Sequence, residues 1–278
     1  MRPDEIDWAR VCEPQQSAYD TSVALGLAER ELNWRPAPQP TPPHAFDGRV
    51  ALRTPRSDVA LNPLLGPGPL DHPNLRWADT CLKTVWPAVH QQFAALIAEI
   101  VLLDVRQPSG GGRTGSHSNH IATPPFAIYV TFFDPFGTAE SLVHEMAHIK
   151  LHCLGVQLES SSRLIVNLPT ELYRSPVRSY GRPMTAVLHA FYSWLHITEL
   201  DIRWAEVDPQ RALLRMRRNC EWIKAMAREI AAHARTDAAG AQFLPPLFAW
   251  AKRLVTQGQT MLDEINSASA APCIVEVA

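Results

Sequence analysis

Two histidines and a glutamate stand together at His144-Glu145-Met146-Ala147-His148, the pattern HExxH. On a helix, positions i and i+4 lie one above the other, so both imidazoles reach a single divalent ion. The acid beside the first histidine is placed to act on a metal-bound water or to hold a neighbouring group. Leu142, Val143, Met146, Ala147 and Ile149 flank the motif with apolar side chains, which suits a site in a folded core. An ion held this way needs at least a third protein ligand. His189, in the apolar segment VLHAFYSWLH, is the leading candidate; Glu171, Glu199 and His196 are the others. His152 lies one turn beyond His148, too far along the axis to share the ion, and is expected to be a core or supporting residue. No HExxHxxGxxH extension follows, because the residues after His148 are IKLHCLG.

The elements that must position these groups are mostly helical. Thr138 is the expected cap of the motif helix, Glu140 falls in its first turn, and Gly155 ends it near Leu154. AIYVTFF, residues 127–133, has the β-branched and aromatic content of a strand. A long helix is expected from Met184 to about Val207, where Asp208-Pro209 breaks it. Further helices are expected over 22–34, within a segment 1–35 read as helical, and over 77–86, 87–104, 211–234 and 246–265. In the third of these, Val89, Phe93, Leu96, Ile97, Ile100, Val101 and Leu103 form a wide apolar face. Ten prolines crowd residues 36–73. Proline removes a donor and restricts its neighbour, so this segment is expected as extended coil rather than regular sheet. Residues 107–120, rich in glycine and small polar residues, are expected to form a mobile loop, a candidate flap over the site, and IVEV near the C-terminus a tail strand. The expectation is a mainly α fold with a small β-sheet (α+β). One domain would span 1–278, built around the HExxH helix packed on a second long helix.

Composition bounds the function. The 278 residues carry Lys+Arg 26 against Asp+Glu 28, with 46% hydrophobic residues. The balance argues against a nucleic-acid binder driven by charge. No apolar run is long enough for a membrane span, and MRPDEIDWAR is not a secretion signal. Five scattered cysteines without a CxxC pair suit a reducing cytoplasm. The basic run Arg211, Arg215, Arg217, Arg218, Lys224 and Arg228 is expected as a solvated helix face, with docking of an acidic leader peptide as the alternative.

The ordered motifs over residues 128–207 carry a resemblance. After the strand and the HExxH helix come Tyr173-x-x-Pro176-x-Arg178, Arg182-Pro183, and Leu188-His189 followed by Phe191 and Tyr192. This series resembles the HExxH-motif family found around peptide-modifying gene neighbourhoods, whose members look like iron- and 2-oxoglutarate-dependent peptide β-hydroxylases. Where typical members place an acidic residue between the two arginines, this chain has Ser179, Tyr180 and Gly181. The resemblance implies Fe(II) held by His144, His148 and His189, with 2-oxoglutarate and dioxygen as cosubstrates. The substrate would be a ribosomally made precursor peptide. The far carboxylate of 2-oxoglutarate would pair with a guanidinium, Arg182 first and Arg178 second, with Tyr173 a nearby donor. Glu145 would be a catalytic-site acid.

Two other classes compete. A zinc metallopeptidase would use Glu145 as general base and Glu171 or Glu199 as third ligand. An inactive peptide-binding scaffold would keep the helix pair without the chemistry.

Overall fold

The structure, a computed structural model, describes residues 5–34, 43–55, 65–105, 118–121 and 126–270. Its helices are α1 (Tyr19–Leu32), α2 (Pro73–Val85), α3 (Pro87–Leu96), α4 (Pro135–Cys153), α5 (Met184–Trp204), α6 (Pro209–His233) and α7 (Ala238–Ala270). The strands are β1 (His44–Ala45), β2 (Val50–Arg53), β3 (Leu65–Pro67), β4 (Glu99–Val105), β5 (Ser118–Ile121) and β6 (Ala127–Thr131). The result is a mainly α fold with a small, open β-sheet.

Proline sets several helix starts. It opens α2, α3, α4 and α6, where its missing N–H is not needed and its fixed φ is already helical. At α4 the cap is Asp134 rather than the expected Thr138. The Asp134 carboxylate accepts from the Gly137 amide at 2.8 Å, and the Thr138 hydroxyl donates back to the Asp134 carbonyl at 2.8 Å. An aspartate before a proline at the first helical position outcompetes a threonine inside the first turn.

The sheet corrects three sequence expectations. Residues 87–104 are not one helix. The chain leaves α3 at Ile97, whose φ −97° and ψ 122° are extended, and becomes β4. That strand pairs in parallel with β2 and β6 and antiparallel with β3. Ile100 and Leu102 enter the main core, while Val101 and Leu103 join Tyr129 on the other face. An apolar run buried on both faces satisfies a helical and a strand pattern equally, and the β-branched pair Ile100-Val101 tips it to strand. The proline-rich stretch 36–73 is likewise not all coil, since β1, β2 and β3 fall within it. Prolines avoid the register positions except at Pro67, which sits on the short edge strand β3, where a missing donor costs little. The remaining sheet order is β1-β2-β4-β6-β5. Of the glycine-rich loop expected over 107–120, residues 107–117 lie outside the described residues, as does the IVEV tail, while Ser118–His120 are not loop but part of β5, paired antiparallel with β6.

One hydrophobic cluster runs from Ile6 to Leu254 and contains the apolar side of α4. Helix α4 is enclosed almost entirely, with 16 of its 19 residues buried, so each polar side chain it carries must find a partner inside the protein. Lys150 shows the consequence. It is fully buried, its Nζ donates to the Asp20 carboxylate of α1 at 2.5 Å, and it lies 5.8 Å from the centre of the Tyr192 ring. The Gln92 amide closes the same carboxylate at 2.5 Å. Among the described residues no helix is long and apolar enough to cross a membrane. Cys12, Cys81, Cys153 and Cys220 are buried and free, and burial pushes the Cys12 thiol up to about 11 and Cys81 to about 12.

Removing one member of the Lys150–Asp20 pair strands the other in the core. Lys150→Met should lower stability by about 3–5 kcal/mol in urea unfolding, and adding Asp20→Asn should recover most of that loss. A Lys150→Met protein as stable as the parent would show that the pair is dispensable.

Candidate functional site

Helix α4 ends in a Schellman turn. The Gly155 amide donates to the His152 carbonyl at 3.0 Å and the Val156 amide to the Leu151 carbonyl at 2.9 Å. Gly155 has φ +90°, and a Cβ there would meet the Ser162 hydroxyl at 2.5 Å, so only glycine fits. The turn fixes the Val156 carbonyl beneath α5. His189 Nε2 lies 2.8 Å from that carbonyl oxygen. His189 Nδ1 is 2.9 Å from His148 Nδ1, and His148 Nε2 is 3.1 Å from His144 Nε2.

The row has one consistent proton assignment for neutral rings. A carbonyl oxygen only accepts, so His189 Nε2 carries the hydrogen and its Nδ1 is a lone pair. His148 then donates from Nδ1, which leaves its Nε2 as a lone pair facing His144. This is the tautomer that a metal ligand binding through Nε2 requires. The rings of His144 and His148 meet edge to face with centres 4.7 Å apart, and those of His148 and His189 are 26° from parallel with centres 5.1 Å apart. His189 is 2% exposed and Glu145 3%, while His144 and His148 are half-buried. A Glu145 oxygen stands 3.9 Å from His144 Nε2.

The sequence-derived residues fall into separate groups. His144, Glu145, His148 and His189 come together. His189, however, faces the Nδ1 of His148 and not the nitrogen shared with His144. Among the described residues no group of three or more His, Cys, Asp or Glu side chains is arranged to hold one metal ion. Two imidazole nitrogens therefore converge, and a third ligand does not. His152 packs edge-on against Phe126 at 6.0 Å. Glu171 is held by the Tyr173 hydroxyl at 2.9 Å and by Arg235 at 2.6 Å, which pull its carboxyl below the ordinary range. Glu199 accepts from Arg203, Trp250 and Arg253 at 2.8–3.0 Å. Both acids are thus committed to other partners.

Tyr173 and Arg182 pair through their backbones, with N–H to carbonyl distances of 2.8 and 2.9 Å. The Arg182 side chain is half-buried, and burial lowers its pKa from the ordinary arginine value. Arg178 instead lines a cleft of about 570 Å³ whose wall includes none of the three histidines.

Three residues of the α6 face expected to be solvated make contacts within the protein, although Arg218 stays exposed. Arg211 pairs with Asp134, Arg215 with Glu140 at 2.5 Å, and Arg218 lies 4.9–5.0 Å from the centres of Trp194 and Trp222. Of the carboxyls they approach, Glu140 was expected only as an acid in the first helical turn, and Asp134 was not singled out from sequence. Glu140 sits one turn before His144 on the same face of α4, beside Asp201 of α5, which accepts from the Asn219 amide at 2.8 Å. Burial raises both carboxyls, Asp201 the more, while Arg215 opposes the rise at Glu140. The i, i+4 spacing of Glu140 and His144 was the available signal.

His196 is a core residue. Its Nδ1 donates to the Tyr192 carbonyl at 2.9 Å, and its ring is packed edge-on by Tyr192 and Trp250. No family model matches the chain, and no curated protein matches it.

Burial, aided by Lys150, pushes His196 down to about 3. A histidine whose folded pKa is depressed contributes stability that is complete above its unfolded pKa and lost as pH falls toward the folded one. Between about pH 7 and pH 5 the parent should therefore lose about 2 kcal/mol more stability than His196→Phe. Parallel pH–stability curves for the two proteins would remove His196 as the source.

Proposed function

We propose that this chain is a metal-dependent enzyme, a non-haem iron, 2-oxoglutarate-dependent oxygenase that hydroxylates a side-chain β carbon of a peptide. The observation that carries the metal reading is the 3.1 Å separation of His144 Nε2 and His148 Nε2. Two nitrogens each about 2.1 Å from one ion stand about 3.0–3.4 Å apart for right-angle to tetrahedral geometry. The donor set fits as a pair. His144 and His148 would hold the ion, and His189, expected from sequence as the third ligand, acts here as the residue that orients His148. The commitment of Glu171 and Glu199 to other partners favours the oxygenase over the peptidase. The ordered motifs over residues 173–192 favour it too.

When bound, Fe(II) with 2-oxoglutarate and dioxygen would supply the oxidising power to attack an unactivated C–H bond. The chain's own residues would do the rest. Val156 and His189 keep His148 in the ligating tautomer. Arg182 would pair with the far carboxylate of the cosubstrate, with Arg178 the alternative, and the Tyr173 backbone holds Arg182 in place. Glu145, buried beside His144, would orient that ring. Around this site we read residues 1–278 as one cytoplasmic domain built on α4 and α5, with a ribosomally made precursor peptide as partner. A specific observation supports zinc peptidase as the second reading: Glu145 lies beside His144 Nε2, where a general base would be needed.

Anaerobic addition of Fe(II) and 2-oxoglutarate should give a visible metal-to-ligand charge-transfer band that His144→Ala abolishes. Tight zinc with no band, and hydrolysis lost in Glu145→Gln, would replace this reading with the peptidase. His189→Phe should weaken metal binding about 10–100-fold, measured by competition with a chelating dye. Complete loss, as in His144→Ala, would restore His189 as a ligand.

A further inference from the structure

Helix α6 presents two adjoining depressions that share Arg228. One is a groove of about 340 Å³ between α6 and α7, with Ile223, Ala227, Phe248 and Val255 on its floor. Lys224, Arg228 and Lys252 rim it, and no acidic residue lines it. The other is the cleft of about 570 Å³ between α6 and the segment before α5, where Arg174, Arg178 and Arg228 face the single acid Glu229. Glu229 is already engaged, since its carboxylate accepts from the Arg174 amide at 2.8 Å. Among the described residues none of the five cationic side chains pairs with a carboxylate. Their solvent-exposed positions contrast with Arg211 and Arg215 on the same helix, which do have acidic partners. Ser175 adds an independent sign. It is 6% exposed, it lines the cleft, and its hydroxyl has no hydrogen-bond partner, which is unusual for a buried donor.

We infer that this surface docks an acidic, amphipathic peptide segment, with apolar side chains in the α6–α7 groove and carboxylates on Arg228, Arg178 and the Ser175 hydroxyl. Five cations around one satisfied acid select negative charge, and the apolar floor selects a segment with a hydrophobic face. The adjoining depressions suit an elongated ligand better than a small anion. The choice of a peptide rests on the proposed function. The docking surface contains none of the three histidines, and it takes Arg178 for the peptide, which leaves Arg182 for the cosubstrate; it would hold the segment that recruits a substrate rather than the side chain that reacts.

The test uses the full chain treated with EDTA, so that neither metal nor turnover enters. A fluorescein-labelled peptide of about 18 residues carries Leu at i, i+3, i+4 spacing and Glu elsewhere, and a control replaces every Glu by Gln. In anisotropy titrations the Glu peptide should bind and the Gln peptide should not. Arg228→Glu and Lys252→Glu should each weaken binding about tenfold or more, and added chloride should weaken it further. Ser175→Ala, which removes no charge, should weaken binding severalfold at constant salt response. Equal binding of both peptides, binding of neither, or Glu-peptide binding unchanged in all three variants would overturn the inference. Displacement of the peptide by inorganic phosphate at matched ionic strength would also overturn it, making the cleft a small-anion site. Because no step needs iron, failure here leaves the charge-transfer test untouched, and the converse holds.

Discussion

Helix α4 is closed in by its neighbours, yet it carries Glu140, His144, Glu145, His148, Lys150 and His152 along its length. A buried polar group without a partner costs about 1–3 kcal/mol, and a buried charge more. The surrounding elements are therefore constrained to bring matching groups inward. The arrangement of α1, α5 and α6 around α4 answers that constraint. Asp20 comes from α1 to meet Lys150, His189 from α5 to meet His148, and Arg215 from α6 to meet Glu140. The remaining surface of α4 is apolar and joins the main core. The helix is held in register by polar contacts on three sides, while burial supplies most of the driving force.

The three sets of contacts differ in kind. The Lys150 pair and the Glu140–Arg215 pair each bring opposite charges together, so each is complete within the protein. The histidine row is different, because nothing in it needs to be charged. It begins at a glycine whose left-handed φ closes a Schellman turn, passes through the Val156 carbonyl, and fixes one ring nitrogen after another up to the half-buried His144. Local backbone chemistry at Gly155 thereby sets the tautomer of a side chain seven residues earlier. Glu140 and Asp201 close the far end of the same α4–α5 seam, where burial opposes the charging of two adjacent carboxyls.

Much of this was legible in the sequence, and the exceptions have physical causes. The HExxH helix, its end at Gly155, the strand at Ala127–Thr131 and the helix opening at Met184 all follow from strong local signals: proline starts, a left-handed glycine and a β-branched run. Residues 99–105 were not legible as a strand. Their hydrophobic pattern is continuous, and only the pairing with β2 and β6, distant in sequence, decides the conformation. The strands within the proline-rich segment were hidden for the same reason, since each is short and depends on β4 or on a neighbour that does. At the site, spacing placed His144 and His148 together, and the apolar setting of His189 brought it near them. Which nitrogen His189 would face was beyond any spacing rule, because it depends on the Val156 carbonyl. The partners of Arg211, Arg215 and Arg218 were illegible because a run of like charges on a helix has no sign of them.

A row of three imidazoles is a poor device for stability alone. Neutral rings joined by hydrogen bonds gain about as much as well-packed apolar side chains, and they carry a liability, since a proton on any one of them raises the cost of charging its neighbours. Structural histidines are more economically placed as His196 is, singly, with one backbone acceptor and aromatic walls. The row instead leaves a lone pair on His148 Nε2 beside His144, at the half-buried end of the seam and next to a buried carboxylate. Departures from the most stable packing are expected where function is imposed on a fold. On the proposed reading, the cost is offset when a cation takes the place of the hydrogen between those two nitrogens. The hydrogen on His144 would then pass to its Nδ1, and affinity should fall in acid, where protonation of either imidazole removes the lone pair the ion needs. The recognition surface on α6 and α7 carries none of these constraints. Its cations are exposed and its floor is apolar, so it can vary with its ligand while the row behind α4 stays fixed.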